Sequence, residues 1–357
     1  MTDRERLLRE PRSDVEADDI HARMFRGGRQ RRDDDGGREP TSVPRAEFRS
    51  YYGRPVIKPP VWDQKIPAYF FTGGLAAGSA ALAAGADLTA RPVLRRVGRL
   101  SALANLGLST YLLIVDLGRP ERFHHMLRVA KPTSPMSMGT WVLVGFGPGA
   151  GLAAVAELLP KRFRDTFLGR LLRLTARPAG LSAALLAPAL ASYTAVLVSQ
   201  TAVPAWHGAQ RHLPFVFTGS AAASAGGLAQ LLTPVDEAGP ARTFAVTGAA
   251  FELLASKLMD RHLGFVGRAY TRGRPGRLRS WSHRLTVAGA AGTLFAGGRN
   301  RIAAALSGLA LLGGSLLQRL AVFEAGVAST VDPEYVVVPQ RQRLEERDTA
   351  KIDQPGR

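Results

Sequence analysis

The sequence contains no cysteine. It can supply no thiolate to an iron–sulfur cluster, attach no c-type haem and close no disulfide, so any such centre must be carried by another chain. Histidine is sparse and poorly placed for haem. The seven stand at positions 21, 124, 125, 207, 212, 262 and 283, in loops, tails or at the edges of apolar runs, whereas a b-type haem between helices needs axial ligands at membrane depth. No metal site is expected. A leader pattern is missing as well: Arg31 and Arg32 run into acidic residues rather than a hydrophobic stretch, and no export signal is expected. Acid is scarce beside base, giving a net charge of +18. That excess would suit a nucleic-acid binder, but the Lys and Arg sit mainly between apolar runs, where lipid headgroups would meet them, and no nucleic-acid partner is expected.

What the sequence does have is a sharp partition that its near-zero mean hydropathy conceals. Residues 1–61 are rich in Arg, Asp, Gly and Pro, too poor in aliphatic surface to offset ordering entropy, and read as a disordered or extended tail. Residues 62–330 carry apolar runs at 66–86, 99–118, 139–159, 179–199, 213–232, 241–258 and 302–323, with a shorter one at 284–298 that also fits a re-entrant or interfacial segment. Residues 331–357 form a polar C-terminal tail. The fold class expected is an all-α integral membrane protein, a bundle of about eight transmembrane helices in the cytoplasmic membrane of the cell. Gly74 with Gly78, Gly145 with Gly149 and Gly147 with Gly151 are spaced to let helix backbones approach closely. Pro148 and Pro188 should kink their helices or free a carbonyl. Eight spans place both termini on one side, here called the terminal face. Both faces are basic, so loop charge does not fix the orientation.

Ionisable residues inside a bilayer are costly and each is a functional candidate until a structural partner explains it. Asn105, Ser109 and Asp116 fall on one face of the second span, and Arg119 follows Asp116 at ion-pairing distance along the chain. Tyr193 and Gln200 share a face at the end of the fourth span, before Trp206 and His207. Tyr and Trp in such places also serve as interfacial anchors. Glu252 and Ser256 share a face of the sixth span; Arg319 and Glu324 lie near the end of the eighth at a spacing that does not pair them on one helix. Interhelical ion pairing is the structural alternative for all of these. Most of these groups lie towards the terminal face, with Glu157 at the far end as an exception. This one-sidedness suits a pocket better than a path across the membrane.

The strings YYGRPVIKPPVW (51–62), IPAYFFTGGLAAGS (66–79), LIVDLGRPERF (113–123), KPTSPMSMGTW (131–141), TAVPAWH (201–207), LPFVFTGSAAASAGG (213–227) and FEAGVAS (323–329) resemble the NrfD/polysulfide reductase membrane-subunit family, in its actinobacterial form, over roughly residues 50–340. The resemblance implies a haem-free anchor subunit that binds a quinone, menaquinone being the type expected. It would exchange electrons with a partner iron–sulfur subunit linked to a molybdopterin catalytic subunit of polysulfide reductase or formate dehydrogenase type. Asp116 and Arg119 fall within its Asp-Leu-Gly-Arg-Pro motif. On depth and polarity, Asp116, Arg119, Glu252 and Arg319 are the candidates for proton handling. Asn105, Trp141, Tyr193, Gln200, Trp206 and His207 are the candidates for holding the quinone. The partner is expected on the terminal face, over loops 119–138, 200–212 and 259–283 together with an ordered stretch from Tyr51 to Trp62, with Arg122 and Lys131 available for its acidic groups. A secondary transporter, with broken helices near mid-depth, and a purely structural anchor are the competing readings.

Overall fold

The computed structural model describes residues 55–352; residues 1–54 of the expected tail, with the first four of the string 51–62, lie outside the described residues. Two units divide the chain, Pro60–Ser329 and a second drawn from the two chain ends. The eight long helices are α1 Lys65–Leu88, α2 Pro92–Asp116, α3 Pro135–Leu158, α4 Phe167–Ser199, α5 Leu213–Leu232, α6 Gly239–Leu263, α7 Gly273–Phe295 and α8 Arg301–Val331. In the unit of the chain ends, the C-terminal segment expected as a polar tail is helical over Glu334–Ile352, here α9. Among the described residues there is no strand, and the chain is an all-α membrane protein.

Six of the helices, α1 to α5 and α8, are long and apolar enough to cross a membrane. α6 and α7 are not, because α6 carries Glu252, Lys257, Asp260 and Arg261, and α7 carries Arg274, Arg277, Arg279 and Arg284. Helix boundaries depart from the apolar runs where polar residues continue a helix. α4 begins at Phe167 rather than 179: the Thr166 side chain accepts a hydrogen bond from the Gly169 amide and caps the new start. α7 likewise begins at Gly273, eleven residues before its apolar part. Pro148 and Pro188 sit inside α3 and α4. Among the described residues none of the eight long helices is interrupted along its length.

Small residues hold the bundle together, because in lipid the gain on association comes from close backbone packing. α1 lies at the centre, packed by α2, α4 and α5. A Cβ on Gly78 would lie 2.5 Å from the Ala221 carbonyl oxygen of α5, and one on Gly149 would lie 2.7 Å from the Ala179 carbonyl oxygen of α4. Gly248 and Gly226 join α5 to α6 in the same way, and Gly227 meets the Gly308 backbone of α8. The Gly147 and Gly151 pair makes no such contact: a Cβ on Gly151 would meet nothing.

Charge fastens the end opposite the terminal face. Arg95 and Arg99 of α2 each contact both Asp87 of α1 and Glu157 of α3, with nitrogen–oxygen distances of 2.8 and 3.0 Å to Glu157 and 3.4 Å to Asp87. Arg177 of α4 reaches Asp87 at 3.5 Å. Glu157, the exception in the sequence pattern, is therefore a structural ion-pair partner. Nearby, the Glu237 carboxylate accepts from the Val93 and Leu94 amides at the first turn of α2, satisfying donors that the helix itself leaves unpaired. Arg301 caps the other polarity, donating to the Gln230, Leu231 and Thr233 carbonyls at the end of α5.

Candidate functional site

At the terminal-face end, α1 and α3 begin where α2 and α4 finish, and the four ends enclose a cavity of about 220 Å³. Ile66, Tyr69 and Phe70 form its α1 wall and Leu113 and Asp116 its α2 wall. Met136, Gly139 and Thr140 come from α3, and Tyr193 and Leu197 from α4. Val61 and Trp62 lie across it from the approach to α1, and Met126 comes from the 3-10 helix Pro120–Leu127. Val61 and Met136 are exposed at its rim.

The walls are mainly apolar and the polar groups few. The rings of Tyr69 and Tyr193 meet edge-on with centroids 6.4 Å apart. Neither hydroxyl has a hydrogen-bond partner among the described residues. Thr140 donates to the Met136 carbonyl, which leaves its oxygen able to accept. Asp116, the last residue of α2, supplies a carboxylate, with Lys65 in electrostatic reach. Lys65 is held in turn by Asp63 at 2.6 Å. An apolar enclosure with a few convergent polar groups is what a small-molecule site requires, although 220 Å³ lies just below the roughly 300 Å³ at which drug-sized sites begin. That volume matches a single ring system better than a long chain.

Two local features shape the cavity. A Cβ on Gly139 would collide with the Tyr193 ring, so only glycine lets α3 and α4 approach with Tyr193 between them. Gly139→Ala should therefore displace Tyr193, deform the cavity and weaken ligand binding about ten-fold while the helices still form; a titration with unchanged affinity would show that Tyr193 has another place to go. Trp62 stacks on Trp206, with ring centroids 5.8 Å apart. Trp206 is fully buried, donates from Nε1 to the Val322 carbonyl and abuts Gly326 so closely that a Cβ there would overlap its ring. Tyr270, whose phenol is pushed up by burial, donates to the Ala205 carbonyl and fixes the turn carrying Trp206.

Of the residues singled out from the sequence, the cavity gathers Asp116 and Tyr193. Trp206 packs behind Trp62 and does not line it. Trp141 is 39 % exposed on the outer side of α3 and donates to the Val129 carbonyl. Gln200 and His207 are exposed beyond the end of α4, with His207 Nδ1 3.1 Å from the Ser199 carbonyl. Asn105 donates to Ser101 within its own helix, and Arg119 is exposed at the start of the 3-10 helix. Sequence reasoning missed Tyr69, Thr140, Met136 and Gly139, all of which stand inside the strings 66–79 and 131–141.

Glu252 and Arg319 come together elsewhere, between α5, α6 and α8. Both are buried, yet they make no ion pair within 4.0 Å. The Arg319 guanidinium lies 3.7 Å from the centroid of the Phe217 ring and donates to the Phe217 carbonyl, while its Nε and Nη1 and the Glu252 Oε2 have no partner. The Phe217 ring packs on Phe70 at 6.0 Å, so these two buried groups stand behind one wall of the cavity. Among the described residues no three of His, Asp and Glu gather as a metal ion would need.

Comparison with curated proteins returned no match. A family model described as "Polysulphide reductase, NrfD" matches residues 56–238, just over half the chain. The match takes in α1 to α5 and every residue of the cavity, and it ends before Glu252, Arg319 and the string 323–329. Proteins of this family are the membrane subunits of polysulphide-reductase-like complexes and work with iron–sulfur and molybdopterin subunits. With the eight-helix bundle and the match over its first five helices, the chain belongs to the NrfD polysulphide reductase family of multi-pass membrane subunits.

Proposed function

We propose that this chain is the quinone-reactive membrane subunit of an oxidoreductase complex, and that the cavity at the terminal-face ends of α1 to α4 receives the quinone headgroup. The observation that carries the proposal is an apolar enclosure into which two tyrosines without hydrogen-bond partners and one carboxylate project. A quinone bound there supplies a two-electron, two-proton couple that no side chain of this cysteine-free chain offers. Tyr69 and Tyr193 would donate hydrogen bonds to the ring oxygens, and Thr140 would help to set its orientation. The Asp116 carboxylate holds and releases a proton at the cavity edge, where Lys65 balances its charge. Phe70, Ile66 and Leu113 keep the interior apolar. Glu252 and Arg319, behind the Phe70 and Phe217 rings, place polar groups at membrane depth and are proposed to serve proton exchange with water. Electrons would pass to or from an iron–sulfur partner on the terminal face, the end at which the cavity lies, with Arg122 and Lys131 available for its acidic groups. The membrane proposed is the cytoplasmic membrane, and menaquinone is the proposed quinone.

A photoreactive menaquinone analogue added to the purified full chain in lipid nanodiscs tests this reading. Peptide mapping should place the label within 61–70, 113–118, 136–140 or 193–197, with unlabelled menaquinone competing. Label confined to α5 to α8 would overturn the assignment.

A further inference from the structure

A second surface lies at the end of the bundle away from the cavity. α4 is 33 residues long, about 50 Å at 1.5 Å per residue, whereas about 20 residues cross a hydrocarbon core of about 30 Å. Measured back from Ser199, the first dozen residues of α4 emerge into the headgroup layer. They do not emerge as a water-facing helix: Phe167 is 84 % exposed and Leu174 75 % exposed. At 100° per residue these two share a stripe with Leu181 and Leu185, both also exposed, and the stripe continues into the membrane. Arg170, Arg173 and Arg177 run beside it over two turns, about 10 Å, and all three are exposed.

The charge around this stripe is unbalanced. Lys161, Arg162, Arg164, Arg170 and Arg173 have no carboxylate partner within 4.0 Å, and Asp165 is the single acid between Leu158 and Arg177. Arg177 reaches Asp87, but that carboxylate and Glu157 are shared among three arginines. A cationic strip two turns long, alongside an apolar strip that runs down into the bilayer, is complementary to a molecule with an anionic head and hydrocarbon chains. From Leu174 to Leu185 the stripe spans about 16 Å, close to the depth of one leaflet.

We propose that the N-terminal third of α4, with the connection from α3, is a binding site for an anionic phospholipid, its phosphate between Arg170, Arg173 and Arg177 and an acyl chain along Leu174, Leu181 and Leu185. This site is independent of the cavity and does not rest on the quinone reading.

The test uses the full chain, wild type and Arg170→Gln/Arg173→Gln, leaving Arg177 in its ion-pair network. Each is incorporated into nanodiscs of phosphatidylglycerol and phosphatidylcholine, re-extracted in mild detergent, and its retained lipid counted by native mass spectrometry. Wild type should retain phosphatidylglycerol over phosphatidylcholine. Each basic residue near an anionic surface changes binding about five-fold, so the double variant should lose retention about thirty-fold. Arg170→Lys/Arg173→Lys should keep most of it. Melting temperatures of wild type and variants, compared in detergent without lipid, should agree and so separate lost binding from lost folding. Equal retention by wild type and the Gln variant, or equal retention of the two lipids, would overturn the proposal. Release of the lipid by millimolar inorganic phosphate would likewise overturn it, since the site would then recognise the phosphate alone.

Discussion

Asp116→Asn in the assembled complex is expected to lower quinone-linked turnover about a hundred-fold, the lower end of what a positioned acid or base contributes. The change keeps the side-chain shape and removes the proton exchange. The quinone itself should still bind, because Tyr69 and Tyr193 remain to hold it. Tyr193→Phe should produce the complementary pattern, a roughly ten-fold loss of affinity from one missing hydrogen bond to a buried acceptor. Asp116 has interactions of its own at the end of α2, so a structural role must be separated from a chemical one. Asp116→Glu serves that purpose: it should restore much of the turnover and displace the pH profile, whereas a merely structural role would leave the profile in place. Gln200→Ala and Trp141→Phe, both outside the cavity, should leave turnover near the wild-type level. Full quinone turnover by an assembled Asp116→Asn complex would remove Asp116 from the chemistry.

The second large effect is on stability and arises at the other end of the molecule. Glu157→Ala removes a carboxylate that Arg95 and Arg99 share, and Arg99, with a side chain only 8 % exposed, keeps Asp87 alone at 3.4 Å. Breaking a buried pair leaves an uncompensated charge, a cost of about 3 kcal/mol. Thermal unfolding of the purified chain in detergent should show it as a clear fall in melting temperature. Arg99→Ala should cost a similar amount, and the double substitution less than the sum, because the two act in one network. At a temperature where both fold, quinone turnover should be near normal, since the cavity occupies the opposite end of α1 to α4. A loss below about 1 kcal/mol would mean that water already screens these pairs.

The membrane class and the approximate number of helices were legible from the sequence, because the physics of lipid solubility is written directly in runs of Ala, Leu, Gly and Val. The helix ends were less so. A hydropathy window reports what dissolves in lipid, not what is helical, and it stopped at residue 179 although Arg170, Arg173 and Arg177 continue the same helix to Phe167. The candidate site was half legible. Asp116 and Tyr193 stood out as polar groups at the ends of apolar runs, and both line the cavity. Tyr69 did not, because in an apolar string an aromatic reads as core until its hydroxyl is seen without a partner. Trp206 stood among the candidates for holding the quinone, but its ring stacks on Trp62 and does not line the cavity. One-dimensional periodicity gives the face of a helix and says nothing of which neighbour covers that face. At the far end, where Glu157 stood as the exception, Arg99, Glu157 and Asp87 are hidden by pairing with one another.

The central place of α1 sets an order of events during synthesis. It is the first of the six helices apolar enough to enter the bilayer, yet Gly78 packs against Ala221 and Ala225 of α5, some 140 residues later in the chain. At 5–20 residues per second that separation is roughly 7–28 s of translation. Through that interval the glycine-lined flank of α1 faces lipid or the insertion machinery in place of its eventual neighbour. A chain halted after α4 would therefore present a bare Gly74 and Gly78 surface within the membrane, a ready mark for quality control to read on an unfinished subunit.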